Sequence, residues 1–352
     1  MTLILVIFAE SRMPGWTGWL LAPLHAVALA TGAKSFRDNP ILGSAALNRM
    51  GLHIARKRLA ARLAARRRAR LATALPPADR AAFDRDGYLA IPDFLPAELF
   101  ARLRAEVLGQ QTPAREFVDG YTLTRLIPLD AVTLPRLPAT AEALASPRYR
   151  ALHDYIGSHR LAPHRFVQTV FSGIRDAPPD VQSHFHTDTF HPTVKSWLFL
   201  TDVPGDAAGF TYVPGSHRPT RRHLVWERRL SITAARHQDR LTGEGSLRID
   251  EARLARLGYP APRKLAVQAN TLVIADTSGF HRRGISEGSA CRIAIWAYAR
   301  GNPFTPWAGL GLAGAGGWKV RTFWALQDAL ARLTGRGNGW RWVGLRNPAA
   351  PP

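Results

Sequence analysis

The sequence predicts a mainly β fold with flanking helices: an antiparallel sandwich or barrel, of which the jelly roll is the form best suited to what the chain carries. From about residue 164 onward, short apolar runs follow one another, divided by Gly, Pro and Asp turns. Ahead of them, short helical patterns alternate with a strand. The cluster His184-Phe-His-Thr-Asp188 lies in the strand-rich part, and a jelly roll readily holds a metal in its mouth.

The 352 residues allow one large domain with extensions. We expect an N-terminal segment over 1–75, a catalytic domain over 76–305 with its β core at about 164–300, and a C-terminal extension over 306–352. The apolar fraction of 46% is ordinary for a chain that buries a core. The charge is not ordinary. Lys and Arg number 47 against 26 Asp and Glu, a net of +21, and such a balance favours anionic partners: phospholipid, nucleic acid or a phosphorylated substrate. Residues 1–75 alone carry twelve Lys/Arg and two acids. The single cysteine, Cys291, excludes an intrachain disulfide and fits a reducing compartment.

Two apolar runs open the chain, Leu3–Ala9 and Gly15–Ala33. The second has nineteen residues without Lys, Arg, Asp or Glu, the length of a marginal membrane span. Trp16 and Trp19 stand at one end of it, as interface anchors do. No convincing small-residue cleavage site follows, which argues against a removable signal peptide. Met13 offers a second start that would remove the first run. Residues 44–72 then read as a helix, with Leu52, Ala55, Leu59 and Leu63 at helical spacing and Arg56, Lys57, Arg58, Arg62 and Arg66–Arg68 around them. A basic amphipathic helix beside an apolar anchor reads as a membrane-surface element. Packing of the leucine stripe on the catalytic domain is the alternative. A nucleic-acid arm is disfavoured because aromatics are not interleaved with the charges. The arginine cluster after the apolar run would keep the catalytic part on the cytoplasmic face of the membrane.

Pro76-Pro77 mark a boundary. A helix is expected near 78–86, a strand at Tyr88–Ile91 and a helix from Pro96 to about Leu108. The predicted strands of the core are Phe166–Ile174, Trp197–Val203, Phe210–Val213, Leu265–Gln268, Thr271–Ala275 and Cys291–Ala299. The carboxyl end adds Trp307, Trp318, Trp324, Trp340 and Trp342 among basic residues, with an amphipathic helix expected over 318–334. Tryptophan beside arginine suits a membrane interface, and packing onto the core is the competing role.

Residues i and i+2 of an extended segment point to one face, so His186 and Asp188 can meet one metal. With His281 they make two imidazoles and a carboxylate. That set holds divalent iron on one face and leaves the other open for a co-substrate and dioxygen. His184 shares the alternation and offers a competing cupin-type set with His186 and His281, although no glutamate follows between 187 and 200. Arg292 stands in an otherwise apolar strand, where a guanidinium needs a buried anion. Either an internal carboxylate or the far carboxylate of 2-oxoglutarate, clamped in bidentate fashion, meets that need.

His186-Thr-Asp188, Val213-Pro-Gly-Ser-His217, His281 and Arg292 resemble the phytanoyl-CoA dioxygenase family of iron(II)/2-oxoglutarate oxygenases, as does the segment Phe83–Leu95. The resemblance covers roughly 80–300. It implies a double-stranded β-helix, iron on His186, Asp188 and His281, and Arg292 on the distal carboxylate of 2-oxoglutarate. It implies consumption of dioxygen, release of succinate and carbon dioxide, and a hydroxyl placed on an unactivated C–H bond. Because Asp188 is present, it disfavours halogenation. The family often has a small hydroxylated residue two positions after the distal histidine; here Arg283 stands there, and Thr187 or Gln168 would take over that contact with 2-oxoglutarate.

Arg282 and Arg283 flank His281, and Lys195, Arg218, Arg221 and Arg222 are expected near the same mouth, with His184 as a further substrate contact. The reading that follows is a hydroxylase at the inner face of the cytoplasmic membrane, acting on an anionic, lipid-linked or acyl molecule. Two alternatives stay open: a cupin-like metal enzyme that does not use 2-oxoglutarate, and a degenerate membrane-bound binding protein.

Overall fold

The structure is a computed structural model that describes residues 17–207, 209–309, 317–335 and 339–352. The run Leu3–Ala9, the alternative start Met13, Trp16 and the rings of Trp19 and Trp318 lie outside the described residues. Eleven strands form two sheets there. In chain order they are β1 (Tyr88–Ile91), β2 (Thr112–Asp119), β3 (Thr122–Pro128), β4 (His164–Ser172), β5 (Val194–Phe199), β6 (Phe210–Tyr212), β7 (Arg263–Lys264), β8 (Leu272–Asp276), β9 (His281–Arg283), β10 (Ala290–Ala299) and β11 (Arg341–Arg346). The large sheet runs β1-β8-β5-β10-β4-β3-β2-β11 and the small one β7-β6-β9, every pairing antiparallel.

Alternation along the strands decides what each face meets. Ile293 and Ile295 of β10, Leu198 of β5 and Leu272 and Ile274 of β8 point to a layer of helices, where they bury Phe83, Leu103, Leu144, Leu152 and Ile156. Those residues come from α4 (Pro77–Asp86), α5 (Ala97–Gly109), α6 (Pro138–Ala145) and α7 (Pro147–Gly157). The intervening residues Trp197, Phe199, Val273, Ala275 and Ala294 point the other way and meet Phe210 and Tyr212 of the small sheet. Trp197 and Phe210 bring ring centroids to 4.7 Å. The predicted core strands are present with shifted ends, except that the run at Leu265–Gln268 makes only an isolated bridge, Val203 to Val267, after β7. The result is a jelly-roll-like sandwich with its helices on one side.

The expected helix over 44–72 is two helices. Gly51, at φ 102°, ends α2 (Ala45–Met50) and begins α3 (Leu52–Leu71), a left-handed conformation that favours glycine. The buried face of α3 is not the leucine stripe. It is His53, Ile54, Arg56, Lys57, Ala60, Ala64, Arg67 and Leu71, while Ala55 is exposed and Leu59 is 47% exposed. The buried cations find carbonyls and a carboxylate. Arg56 donates to the carbonyls of Leu29, Thr31 and Ala33, in the segment that follows α1 (Thr17–Ala28). Arg67, fully buried, donates to the carbonyls of Ser158, Pro303 and Thr305 at 2.8, 3.2 and 2.6 Å. Lys57 and His53 both meet Glu227 of α8 (Arg221–Thr233). Among the described residues no helix is long and apolar enough to cross a membrane.

The C-terminal stretch forms the expected helix, α10 (Gly317–Thr334), which follows α9 (Glu251–Arg256) in the chain. It then returns as β11 to the open edge of β2. Arg125 of β3 donates to the carbonyls of Asn347 and Ala350 at 2.8 and 2.7 Å, and Arg321 pairs with Asp130. This extension therefore continues the large sheet.

Glu227 ties the N-terminal helices to the rest. Burial works to raise its carboxyl, but Lys57, His223 and His53 outweigh that and hold it well below its ordinary value. Glu227→Ala should cost about 3–5 kcal/mol by stranding a buried cation, read as a lower denaturant midpoint. A carboxyl depressed in the folded state contributes stability above its unfolded pKa and loses it as pH falls. The gap between wild type and variant should therefore narrow below about pH 4.5.

Candidate metal centre

The site forms where residues 184–188 run alongside the small sheet. His186 donates its N–H to the His281 carbonyl and accepts from the His281 N–H, both at 3.0 Å. On its other side the segment pairs with 247–249, through Thr187 N–H to Leu247 O and Ile249 N–H to Phe185 O. The segment is extended, with isolated bridges, rather than the regular strand expected. Alternation still holds: Phe185 packs outward with Val213, Ile249 and Phe280, while His186 and Asp188 point inward.

Both imidazoles are oriented by the same device. The Nδ1–H of His186 donates to the carbonyl of His184 at 2.8 Å, and that of His281 to the carbonyl of Gly279 at 3.0 Å. Each bond fixes the tautomer and leaves Nε2 as the free donor atom. The two Nε2 atoms lie 3.9 and 3.8 Å from Asp188 Oδ1, and the three ligand atoms fall within 4.8 Å of one another. Metal–ligand bonds of about 2.1 Å place neighbouring donors roughly 3 Å apart in an octahedron, so the donor set fits one divalent ion with a small inward adjustment.

Charge suits the ion as well. Burial keeps both imidazoles neutral: His281 is pushed down to about 4, and His186 is held well below its ordinary value by burial and by the neighbouring His281. Burial would raise the Asp188 carboxyl, but the Lys195 ammonium, 2.7 Å from Oδ2, outweighs it and keeps the carboxylate ionised. Lys195 of β5 thus sits at the centre as the counter-ion of Asp188.

The turn between β8 and β9 carries the rest. Asp276 accepts from Thr193 N–H, Ser278 N–H and Ser278 Oγ and pairs with Arg68 at 2.8 Å. Asp188 N–H donates to Thr277 O at 2.9 Å. A Cβ on Gly279 would stand 2.0 Å from Tyr212 Oη, so only glycine admits the approach that sets His281. The Val213-Pro-Gly-Ser-His217 turn buttresses it, Ser216 Oγ accepting from Phe280 N–H at 2.8 Å.

Arg292 lies on the inner face of β10, opposite Val170. Burial lowers its guanidinium to about 9, with Arg283 adding to that and Asp180 opposing it. Among the described residues it has no hydrogen bond or ion pair. The one carboxylate beside it, Asp180, is taken by Arg283 at 2.8 Å, which removes the internal salt bridge as an account of Arg292. Gln168, across from Ala294 on the same face, accepts from Trp197 Nε1 at 3.2 Å. Thr187 braces the ligand segment, its carbonyl accepting from Ser246 Oγ.

Other expected residues fall elsewhere. His184 is exposed and outside the cluster, contributing its carbonyl only. Arg282 turns outward, over the Phe185 ring and onto Glu251 at 3.0 Å, because alternation on β9 sends it away from His281. Arg221 and Arg222 line a surface cavity with Trp226, not the metal site. Sequence reasoning missed Asp180, Asp276 and Lys34. Lys34 Nζ donates to the Asp188 carbonyl at 2.7 Å. Nothing local signals Lys34, whereas an acid ending an apolar strand would have flagged Asp276.

The fold and donor set define an oxygenase of the iron and 2-oxoglutarate class, in which iron is the cofactor and 2-oxoglutarate the co-substrate. Residues 83–243 match the phytanoyl-CoA dioxygenase (PhyH) family. The match includes His186 and Asp188 and stops before His281 and Arg292. No curated protein matches the sequence. Among solved structures, the non-heme α-ketoglutarate-dependent epimerase SnoN from nogalamycin biosynthesis is similar at 19% identity, over 62% of this chain and 81% of its own, with a TM-score of 0.42. HygX from Streptomyces hygroscopicus, solved with nickel, 2-oxoglutarate and hygromycin B, is similar at 18% identity over 64% and 88%, with a TM-score of 0.36. The carbocyclase SnoK from nogalamycin biosynthesis stands at 17%, 64%, 83% and 0.36.

His186→Ala should abolish stoichiometric binding of a divalent ion. In wild type, calorimetric affinity for Mn(II) should stay level from pH 8 to about 5.5 and fall only toward 4, since buried imidazoles do not take up competing protons earlier. A fall centred near the ordinary imidazole value of about 6.5 would contradict it.

Proposed function

We propose that the protein hydroxylates an unactivated C–H bond of an anionic, lipid-linked or acyl substrate while 2-oxoglutarate is oxidised to succinate and carbon dioxide. One observation carries the reading: among the described residues the half-buried guanidinium of Arg292 makes no ion pair, on the same inner face as the residues around the His186, Asp188 and His281 cluster. A carboxylate from a small ligand meets the need that no residue meets. Bound iron supplies the site at which dioxygen is reduced. The chain's own work is to hold iron on three side chains, to hold the distal carboxylate on Arg292 and to keep water out with Trp197, Phe199 and Phe210. Gln168, on the inner face with Arg292, completes the proposed surroundings of 2-oxoglutarate, while Thr187 shares the outward alternation of Phe185 and braces the ligand segment.

The anionic class of substrate is supported by Lys34 and Lys195, whose ammonium groups both lie against Asp188. Action at the inner face of the cytoplasmic membrane is supported by the +21 charge and by the exposed apolar side chains of Leu24, Val27 and Leu59. The cupin-like alternative loses its third ligand, because His184 is outside the cluster.

Protein reconstituted anaerobically with ferrous iron should form succinate from 2-oxoglutarate when air is admitted. His186→Ala should form none. Arg292→Met should keep metal affinity but weaken 2-oxoglutarate binding by about 30-fold or more, as for a lost charge-assisted pair. Iron binding without any consumption of 2-oxoglutarate, with or without membrane extract, would overturn the reading.

A further inference from the structure

The two outer helices beside the small sheet enclose a cavity of about 750 Å³ lined by Arg221, Arg222 and Arg229 of α8 and Arg253 and Arg256 of α9, over a floor that includes Trp226 and Leu257. Among the described residues none of these five guanidinium groups pairs with a carboxylate. Their one hydrogen bond is Arg222 Nη1 to the Arg256 carbonyl, at 3.5 Å. The acids of the same helices are committed elsewhere: Glu227 to Lys57 and His53, Glu251 to Arg282, and the cap Asp250 to the Arg253 N–H. Five like charges around one hollow repel one another, and an anion that binds there removes the repulsion.

We propose that this cavity binds a phosphate ester carried on an apolar body. Guanidinium forks match phosphate oxygens, and several can share one phosphate. Val225, Trp226, Leu230 and Leu257 give the apolar body a wall that inorganic phosphate would leave bare. The cavity is not the place of chemistry. Trp226 packs on Phe280, ring centroids 5.9 Å apart, and Phe280 and Phe185 belong to the layer that faces away from His281 and His186. The site therefore anchors a ligand behind the small sheet, independently of whatever reacts at the metal.

Two sources carry this chemistry, an anionic phospholipid surface and a soluble phosphorylated amphiphile. The full-length protein would be tested by flotation with phosphatidylglycerol/phosphatidylcholine vesicles and by calorimetry with monomeric dihexanoyl phosphatidic acid. R229E/R253E changes two exposed residues and R136E/R150E makes the same charge change on the helical layer over the large sheet. R229E/R253E should weaken binding to at least one probe by about tenfold or more, from the loss of two cations near an anionic surface, and R136E/R150E should not. Loss confined to vesicles assigns the site to a lipid surface; loss with the short-chain lipid assigns it to a soluble ligand. Binding unaffected by R229E/R253E, or weakened equally by R136E/R150E, would overturn the proposal.

Discussion

The site rests on one antiparallel backbone pair, His186 with His281, joined by two hydrogen bonds of 3.0 Å. The two residues are ninety-five positions apart in the chain, and nothing in either segment alone holds a metal. Pairing puts their side chains on the same face of the small sheet, and the rings come to 4.4 Å between centroids. The carbonyl two residues before each histidine then turns its ring so that Nε2 faces Asp188. Backbone geometry fixes both ligands, so side-chain entropy is spent largely in folding rather than at metal binding.

The large sheet matters to the chemistry through its inner face. Antiparallel alternation on β10 sends Ile293 and Ile295 to the helices, and Ala294 and Arg292 to the interior. That interior is apolar, closed by Trp197, Phe199 and Phe210, so the unpaired Arg292 is costly until an anion arrives. Asp180 is close enough to oppose the lowering of Arg292 but is held by Arg283. The pair Asp180–Arg283 keeps the one nearby acid from quenching the charge that a ligand would use.

Much of this was legible in the chain. The i, i+2 spacing of His186 and Asp188, the lone His281 after an apolar strand and Arg292 inside another were visible as residue types at spacings. So were most of the core strands and the helices at 78–86 and 318–334, because apolar periodicity marks them. The strands at 112–119, 122–128 and 341–346 were not, since Thr, Arg and Pro interrupt their apolar pattern and the partners that settle them are distant in sequence. Arg282 stays away from the metal because alternation on β9 turns it from His281. His184 shares the alternation of His186 but stands exposed at the start of the segment, directly after the turn Val181–Ser183.

The N-terminal helix shows the limit of periodicity most clearly. A leucine stripe on α3 predicts the buried face, yet the buried face holds Arg56, Lys57 and Arg67. Burying a cation is favourable only where acceptors are already fixed to receive it. Here they are: carbonyls of the segment after α1, carbonyls of 158, 303 and 305, and the carboxylate of Glu227. Those acceptors belong to parts of the chain as far as 238 residues away, so no window of sequence contains both the donors and the reason for their burial. The same physics explains why residues 31–37 lie over the site. Arg56 fixes the carbonyls of Thr31 and Ala33, Phe36 and Arg37 N–H bond to Gly243 O, and Lys34 is left pointing at Asp188. What reads as a separable basic arm is, in the folded chain, tied to the metal-ligand segment through Lys34.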